Sequence, residues 1–589
     1  MKRSFLILVS LVIGFKVFAQ APAIQWQKCL GGDSIDIPYS IQQTTDGGYI
    51  VAGSSNSNDG DVSGNHGGGD SWVVKLSGTG AIQWQKCLGG SMADGAASIR
   101  QTTDGGYIVA GSSNSNDGDV SGNHGGIDYW VVKLNDTGAI QWQKSLGGSA
   151  DDYALSIQQT SGGGYIVAGW INSTDGDVSG NHGEQDYWIV KLNDTGAILW
   201  QKSLGGSMQD KAESIQQTSD GGYIVAGWTF SNDGEVSGNH GGDDYWLVKL
   251  NDTGAIQWQK SLGGSGGDDA FSIQQTSDGG YIVAGWGDSN DGEVSGNHGA
   301  SDYWVAKLND TGAIQWQKCL GGSMAEEALC IIQTTNGESA TGGYVVAGFT
   351  NSNNGNVSGN HGGNDYWLVK LNDTGAIQWQ KCLGGSGVDD ANSIQQTSDG
   401  GYIVAGFSSS NDGDVSGNHG IYDYWIVKLI CGNPGTISGS SSICIASSAT
   451  LTDTATGGTW SVTNSRATIS GGIVTGVTAG IDTAIYTVTN ACGTTIAKFP
   501  FTIAPCPSEV NQLPLQTTVA IIPNPTTGNI SITGASNTII KVYNTLGQLI
   551  REANNTDNIS ISAFPSGLYF VRVFDERGTL IKQDKIIKE

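Results

Sequence analysis

The sequence predicts an all-β chain built around a closed seven-bladed β-propeller, and three observations carry that prediction. The first is a repeat. The Trp of an IQWQK-like segment stands at 26, 84, 142, 200, 258, 316 and 379, and the Trp of a DYW-like segment at 72, 130, 188, 246, 304, 367 and 425, a period of 58 residues with one five-residue insertion. Self-similarity at such a period marks a solenoid, a propeller or an array. The second is the content of the unit: four short runs, in the third copy SIQQT, GYIVAGW, DYWIVKL and AILWQKSL, rich in Ile, Val, Tyr and Trp and divided by Gly, Asn and Asp. None has a helical period, and the middle two are nearly all apolar, as strands buried on both faces between neighbouring blades should be. The third is phase. The seventh unit stops after Asp423–Leu429 without its fourth run, while an orphan fourth run, Ala23–Lys28, precedes the first unit. One missing strand and one spare strand make a closed ring with no unpaired interior edge.

Taken in order, the chain opens with MKRSFLILVSLVIGFKVFAQ, whose basic start (Lys2, Arg3), apolar stretch and Val17-Phe18-Ala19 pattern predict a signal peptide over 1–19. No later segment is long and apolar enough to predict a membrane-spanning helix in the mature chain. The propeller is expected over 20–430. The net charge of −27 excludes nucleic acid as a partner, since no basic surface is available to replace counterions along phosphates. Cys29, Cys87, Cys319 and Cys382 share one repeat position with Ser145, Ser203 and Ser261, which predicts a structural rather than a catalytic role, and Cys330 is expected as a free thiol.

After Leu429 the composition shifts to Ser, Thr and small residues. The segment GGTWSVTNSRATISGGIVTGVTAG, within a domain placed at 431–507, resembles bacterial immunoglobulin-like modules of surface proteins. The resemblance implies a small β-sandwich; Cys444 with Cys492 and Cys431 with Cys506 is one of three connectivities open to its four cysteines. A polar linker, 508–517, leads to a last domain at 518–589. Its series Pro523-Asn-Pro-Thr-Thr-Gly528, Lys541-Val-Tyr-Asn-Thr-Leu-Gly-Gln-Leu549, Pro565-Ser-Gly-Leu-Tyr-Phe-Val571 and the Lys-rich end Lys585–Glu589 resembles the C-terminal sorting domain of the type IX secretion system, with Phe564 where that family usually has Leu. That resemblance implies a partner, the secretion machinery, and a destination, the medium or the outer-membrane surface once the signal peptide and sorting domain are removed. From the residues alone the segment reads as a small β-sandwich.

The longest loop of each repeat joins its second and third strands, and in the first copy runs from Asp59 to Asp70. Compared with the calcium-loop pattern D-x-[DN]-x-[DN]-G-x5-E, it offers oxygen-bearing residues at positions 1, 3 and 5, Gly at 6 and a carboxylate at 12. The calcium ligands this spacing predicts are Asp59, Asp61, Ser63 and Asp70; Asp117, Asp119, Ser121 and Asp128; Asp175, Asp177, Ser179 and Asp186; Asp233, Glu235, Ser237 and Asp244; Asp291, Glu293, Ser295 and Asp302; and Asp412, Asp414, Ser416 and Asp423. The sixth loop has Asn354 and Asn356 with only Asp365. Ser at position 5 and Asp at 12 depart from the pattern, and the competing expectation is that these residues are turn formers bonding nearby backbone N–H groups.

All seven histidines, at 66, 124, 182, 240, 298, 361 and 419, lie in these loops, one per loop and without a Cys neighbour; bonding within the loop is expected rather than a zinc cluster. A second acidic position recurs at Asp36, Asp94, Asp152, Asp210, Asp268, Glu326 and Asp389, and with the loops predicts one strongly acidic rim, read either as solvated turn carboxylates or as a cation-dependent, calcium-binding surface for sugars or a basic partner. The NDTG segments (Asn135, Asn193, Asn251, Asn309, Asn372) are expected as hairpin turns. Blades differ at Trp170, Trp228, Trp286 and Phe407, which read as apolar packing positions. The function expected is a non-enzymatic secreted or surface binding and adhesion protein with an extracellular glycan or protein ligand. The alternative is a secreted polysaccharide-active hydrolase. Paired-carboxyl catalysis needs two different environments, and near-identical units supply the same one seven times.

Overall fold

The computed structural model describes residues 21–335, 342–430, 435–455, 457–490, 493–505 and 518–589. The expected signal peptide, the 508–517 linker, Cys431, Cys492 and Cys506 lie outside the described residues. The chain separates into two compact units, residues 1–503 and 504–589. Among the described residues every regular element is a β-strand, and no helix is long and apolar enough to cross a membrane.

The strands β1 (Ala23–Leu30), β2 (Asp36–Gln43), β3 (Tyr49–Ser55), β4 (Asp70–Leu76) and β5 (Ile82–Leu88) set the plan. β2 to β5 pair in sequence order as blade 1, and five more four-stranded blades repeat that order. The seventh blade joins Asp389–Gln396, Tyr402–Ser408 and Asp423–Ile430 to β1, which runs antiparallel to the last of these with Ala23 opposite Ile430 and Leu30 opposite Tyr424. The ring closes as its phase predicts, and Ile41, Tyr49 and Trp72 of the first blade share one core with Ile403, Tyr424 and Ile426 of the last.

Position within the blade decides composition. Every residue of β4 is buried and nearly every residue of β3, so these strands are apolar throughout. β5, the outer strand of the blade, is partly exposed over Ile82–Lys86 and buried only at Cys87 and Leu88. Six of the seven blades are joined to the next by a tyrosine at the second position of the third strand. The hydroxyl donates across the interface to the backbone carbonyl of the next blade's buried Trp: Tyr129 to Trp188 at 3.0 Å, Tyr187 to Trp246 at 2.9 Å, Tyr245 to Trp304 at 2.8 Å, Tyr303 to Trp367 at 2.9 Å, Tyr366 to Trp425 at 2.8 Å and Tyr424 to Trp72 at 3.1 Å. The rings of each pair also pack, with centroids 4.3 to 4.7 Å apart. Cys29, Cys87, Cys319 and Cys382 are buried free thiols, pushed up to about 12 by burial, and Cys330 is free as expected.

Downstream, a four-stranded and a three-stranded antiparallel sheet lie within residues 442–504 and share a core of Ile443, Leu451, Val474, Tyr486, Phe501 and Ile503. Cys444 is disulfide-bonded. In the second unit, sheets of three and four strands enclose Ile530, Ile532, Ile540, Val542, Val571 and Ile586. Its PNPTTG segment is stitched to the C-terminal end: Thr526 N donates to Ile587 O at 2.8 Å, and Asn524 Nδ2 to Lys585 O at 2.8 Å.

One interface breaks the pattern. Ser71 stands where six blades have Tyr, and its buried Oγ has no hydrogen-bond partner among the described residues. Replacing Ser71→Tyr is expected to stabilise the propeller by roughly 1–3 kcal/mol, through added apolar burial and a new hydrogen bond to Trp130 O, and so to raise the melting temperature. Calorimetry reads it, and an unchanged or lower value would show that the space beside Trp130 is already filled.

Candidate functional site

The long loops turn their polar groups onto the protein. The position-1 oxygen accepts a backbone N–H from the connection entering its blade: Asp33 N to Asp59 at 3.0 Å, Ser91 N to Asp117 at 2.8 Å, and Ser149, Ser207, Ser265 and Ser386 N to Asp175, Asp233, Asp291 and Asp412 at 2.7 Å. At position 3, Asp119, Glu235 and Glu293 lie within 3.3 to 3.4 Å of a glycine N–H in the same connection. At position 5, Ser63, Ser121, Ser237 and Ser295 take the Nε2 of a Gln in their own blade's fourth strand, and Ser416 takes that of Gln27 in β1. At position 12, Asp70, Asp128, Asp186, Asp244, Asp302 and Asp423 receive the backbone N–H and Nδ1 of the histidine four residues earlier, at 2.5 to 3.2 Å.

These partners lie in different elements, and among the described residues no group of three or more His, Cys, Asp or Glu is placed to hold a metal ion. As placed, the residues do not fit the calcium cage that their spacing suggests. The sixth loop is instructive, because Asn354 Oδ1 accepts Ser323 N at 2.8 Å where the other loops use Asp. The position needs an acceptor oxygen, not a charge.

The second acidic row is buried, which corrects the expectation of a solvated rim. Asp36, Asp152, Asp210, Asp268, Glu326 and Asp389 are fully buried and Asp94 nearly so. Asp36 accepts Gly32 N at 2.8 Å and Ser57 Oγ at 2.9 Å, and also Ser55 Oγ. The first glycine of each LGG segment passes between this carboxyl and a position-12 aspartate: a Cβ at Gly31 would lie 2.6 Å from Asp36 Oδ2 and 2.7 Å from Asp423 Oδ1. Glycine is required there by space. The row is a set of internal rivets between blades.

The sites that differ from blade to blade converge elsewhere. In register with the aromatic ends of the second strands stand residues that sequence reasoning passed over: Tyr153 opposite Trp170, Lys211 opposite Trp228, Asp269 opposite Trp286, Glu327 opposite Phe349 and Asp390 opposite Phe407. In blades 1 and 2 the same pairs are Ile37 with Ser54 and Gly95 with Ser112. The pairs are continuous across blades 3 to 7. Tyr153 stacks on Trp170 with centroids 4.4 Å apart, and Lys211 Nζ lies 4.7 Å from the Trp170 ring and 5.0 Å from that of Trp228.

Burial, opposed by Lys211 and a hydrogen bond from Trp228, pushes the Glu213 carboxyl from 4.5 up to about 7. Burial, then a hydrogen bond shared with Asp243 and the charges of Glu213 and Glu327, raises Asp269 far above the carboxylate range. Burial moves Asp390 from 3.8 to about 6. The outcome is an arc of covered aromatic rings beside carboxyls whose affinity for a proton is raised by burial. Its signal in the sequence was the variability of the residue following each recurring Asp, at 153, 211, 269 and 390.

Residues 520–589 match the family described as the secretion system C-terminal sorting domain. No curated protein matches the chain. Among solved structures, the chain is similar to PorZ, a surface component of the type IX secretion system of Porphyromonas gingivalis, at 11% identity and a TM-score of 0.36, covering 97% of this chain and 61% of that one. It is also similar to the extracellular domain of a hybrid two-component system of B. thetaiotaomicron, at 10% identity and 0.36, covering 96% and 60%. A third similar structure is a puromycin hydrolase, at 10% identity and 0.38, covering 80% and 62%. The chain thus spans about three fifths of the length of each of these structures. The propeller assignment rests on the strand pairing above. The matched sorting domain gives the chain its destination, which is secretion or the cell surface by the type IX route.

Two outcomes follow from this geometry. Asp175→Ala removes an acceptor for Ser149 N and is expected to lower the melting temperature by the same amount in calcium and in chelator; a loss seen only with calcium present would restore the metal reading. The arc carboxyls bind protons more tightly in the folded chain than in the unfolded one, so their contribution is full below about pH 4 and is lost as pH rises through 6 to 7. Between pH 5 and pH 8 the melting temperature should therefore fall less for Glu213→Gln/Asp390→Asn than for the unaltered protein, and parallel curves would contradict the raised values.

Proposed function

We propose that the chain is a secreted or surface-displayed binding protein whose propeller presents the blade 3 to 7 arc to an extracellular glycan. The observation that carries this reading is the contrast between scaffold and arc. Tyr–Trp contacts, loop clamps and buried acids recur almost unchanged around the ring, while side-chain variety gathers at register-paired positions on one arc. Flat aromatic faces beside carboxyl groups suit sugar rings, which stack their C–H faces on aromatics and hydrogen-bond through hydroxyls. The immunoglobulin-like region would serve as a spacer, and the type IX machinery as the partner of the C-terminal domain.

A specific observation supports the hydrolase alternative as well. Glu213, Asp269 and Asp390 are carboxyls that burial shifts upward, as a general acid requires, and they stand at positions where the blades differ, which the repeat by itself seemed to deny. A glycan array probed with the full-length chain separates the readings. Retention of one glycan class, with at least tenfold weaker retention by Trp170→Ala/Trp286→Ala of unchanged melting temperature, is the expected result. Equal retention by the variant would sink the arc, and release of shortened products, abolished in Glu213→Gln/Asp269→Asn, would make the protein an enzyme.

A further inference from the structure

The first strands of the blades enclose a central cavity of about 310 Å³. At one ring of positions along it five blades carry Gln42, Gln158, Gln216, Gln274 and Gln395, while the second carries Arg100 and the sixth Ile332. Each of the five glutamines accepts, through Oε1, the backbone N–H of the next blade: Gln101 N to Gln42 at 2.6 Å, Gln217 N to Gln158 at 2.7 Å, Gln275 N to Gln216 at 2.5 Å, Gln333 N to Gln274 at 2.6 Å and Gln43 N to Gln395 at 2.5 Å. A backbone N–H requires an acceptor, so the amide orientation is fixed and the NH2 groups are what remains to be satisfied. Among the described residues no acceptor takes them.

Arg100 breaks this belt in a specific way. Its Nη1 donates to Ile99 O at 2.8 Å and to Ser40 Oγ at 3.1 Å, and among the described residues no carboxylate pairs with it. The cavity lining contains no acidic residue, although the chain carries a net charge of −27. Arg100 is partly buried where it lines the cavity, and that burial, without a counter-charge, lowers the guanidinium's pKa. We infer that the central cavity binds a small oxyanion, of the phosphate or carboxylate class, with the Arg100 guanidinium as its primary partner and the glutamine NH2 groups as further donors. A guanidinium presents paired N–H groups that match two oxygens of such an anion. The cavity is at the lower end of the usual range for ligand pockets, about 300–1,000 Å³, which limits the ligand to a small one.

The test is titration of inorganic phosphate, and separately of succinate, into the full-length chain at ionic strength held constant with sodium chloride, read by calorimetry and by melting temperature. Saturable binding of at least one of them near one per chain, with a rise in melting temperature, is expected, and the arm that responds identifies the class. Arg100→Gln installs the residue that five other blades use, so the ring should hold, and affinity should fall at least tenfold. Arg100→Lys keeps the charge without the fork and should bind at an intermediate affinity, which decides the matter if the Gln variant does not fold. No saturable binding of either anion at millimolar concentration, or equal affinity in the folded variants, would overturn the inference. Neither result bears on the aromatic arc, which shares no residue with the cavity lining.

Discussion

A tyrosine hydroxyl reaching a tryptophan carbonyl in the next sheet is the contact on which the ring depends. A single four-stranded sheet whose two middle strands are apolar on both faces has no stable state in water; it needs a partner on each side. The tyrosine meets that need and sets the stagger, since its hydroxyl, buried with the ring, must find an acceptor and finds it one blade along. Six such contacts fix the spacing between blades. The loops follow from it. With sheets held at that stagger, each long loop overhangs the connection entering its blade, and its carboxylates cap backbone groups there.

The ring was legible because period, composition and phase are properties of sequence order, and β1 pairs where its orphan status requires. The sorting domain was legible for a different reason, as a series of short motifs that the structure brings together through Thr526 and Asn524. The loops were harder. Asp, Asn, Ser and Gly at regular spacing describe a cation cage and a backbone clamp equally well, and what separates them is the direction of each oxygen. That direction depends on a connection some 26 residues upstream in the neighbouring sheet, as in the Asp117 to Ser91 pair. Asp36 and its equivalents, flanked by Ser and Gly, read as solvated turns, yet they are buried where two blades meet. The aromatic ends of the second strands were recognised, but their partners were not, because a hairpin register sets Asp269 beside Trp286 and Asp390 beside Phe407 only once the bulge in the first strand is counted.

Repetition sharpens the reading of exceptions. Where seven copies agree, a residue is explained by the fold, and where one copy departs, the fold no longer accounts for it. Ser71 is a departure that leaves a gap. Arg100 is one that adds a charge to a lining otherwise made of amides, hydroxyls, a thiol and isoleucines. The arc of blades 3 to 7 is a departure shared by several copies, each with a different side chain, in a scaffold that tolerates the change because the rivets and clamps lie elsewhere.

The strand that locks the ring is also the first of its strands to be synthesised. Gln27 of β1 and its hydrogen-bonded partner Trp425 are 398 residues apart in the chain. Until the last sheet emerges, β1 is a strand without a mate, and six complete blades must wait as an open arc. Closure is therefore an event of the completed ring sequence, because the mate of β1, Asp423–Ile430, is the last propeller strand to be made.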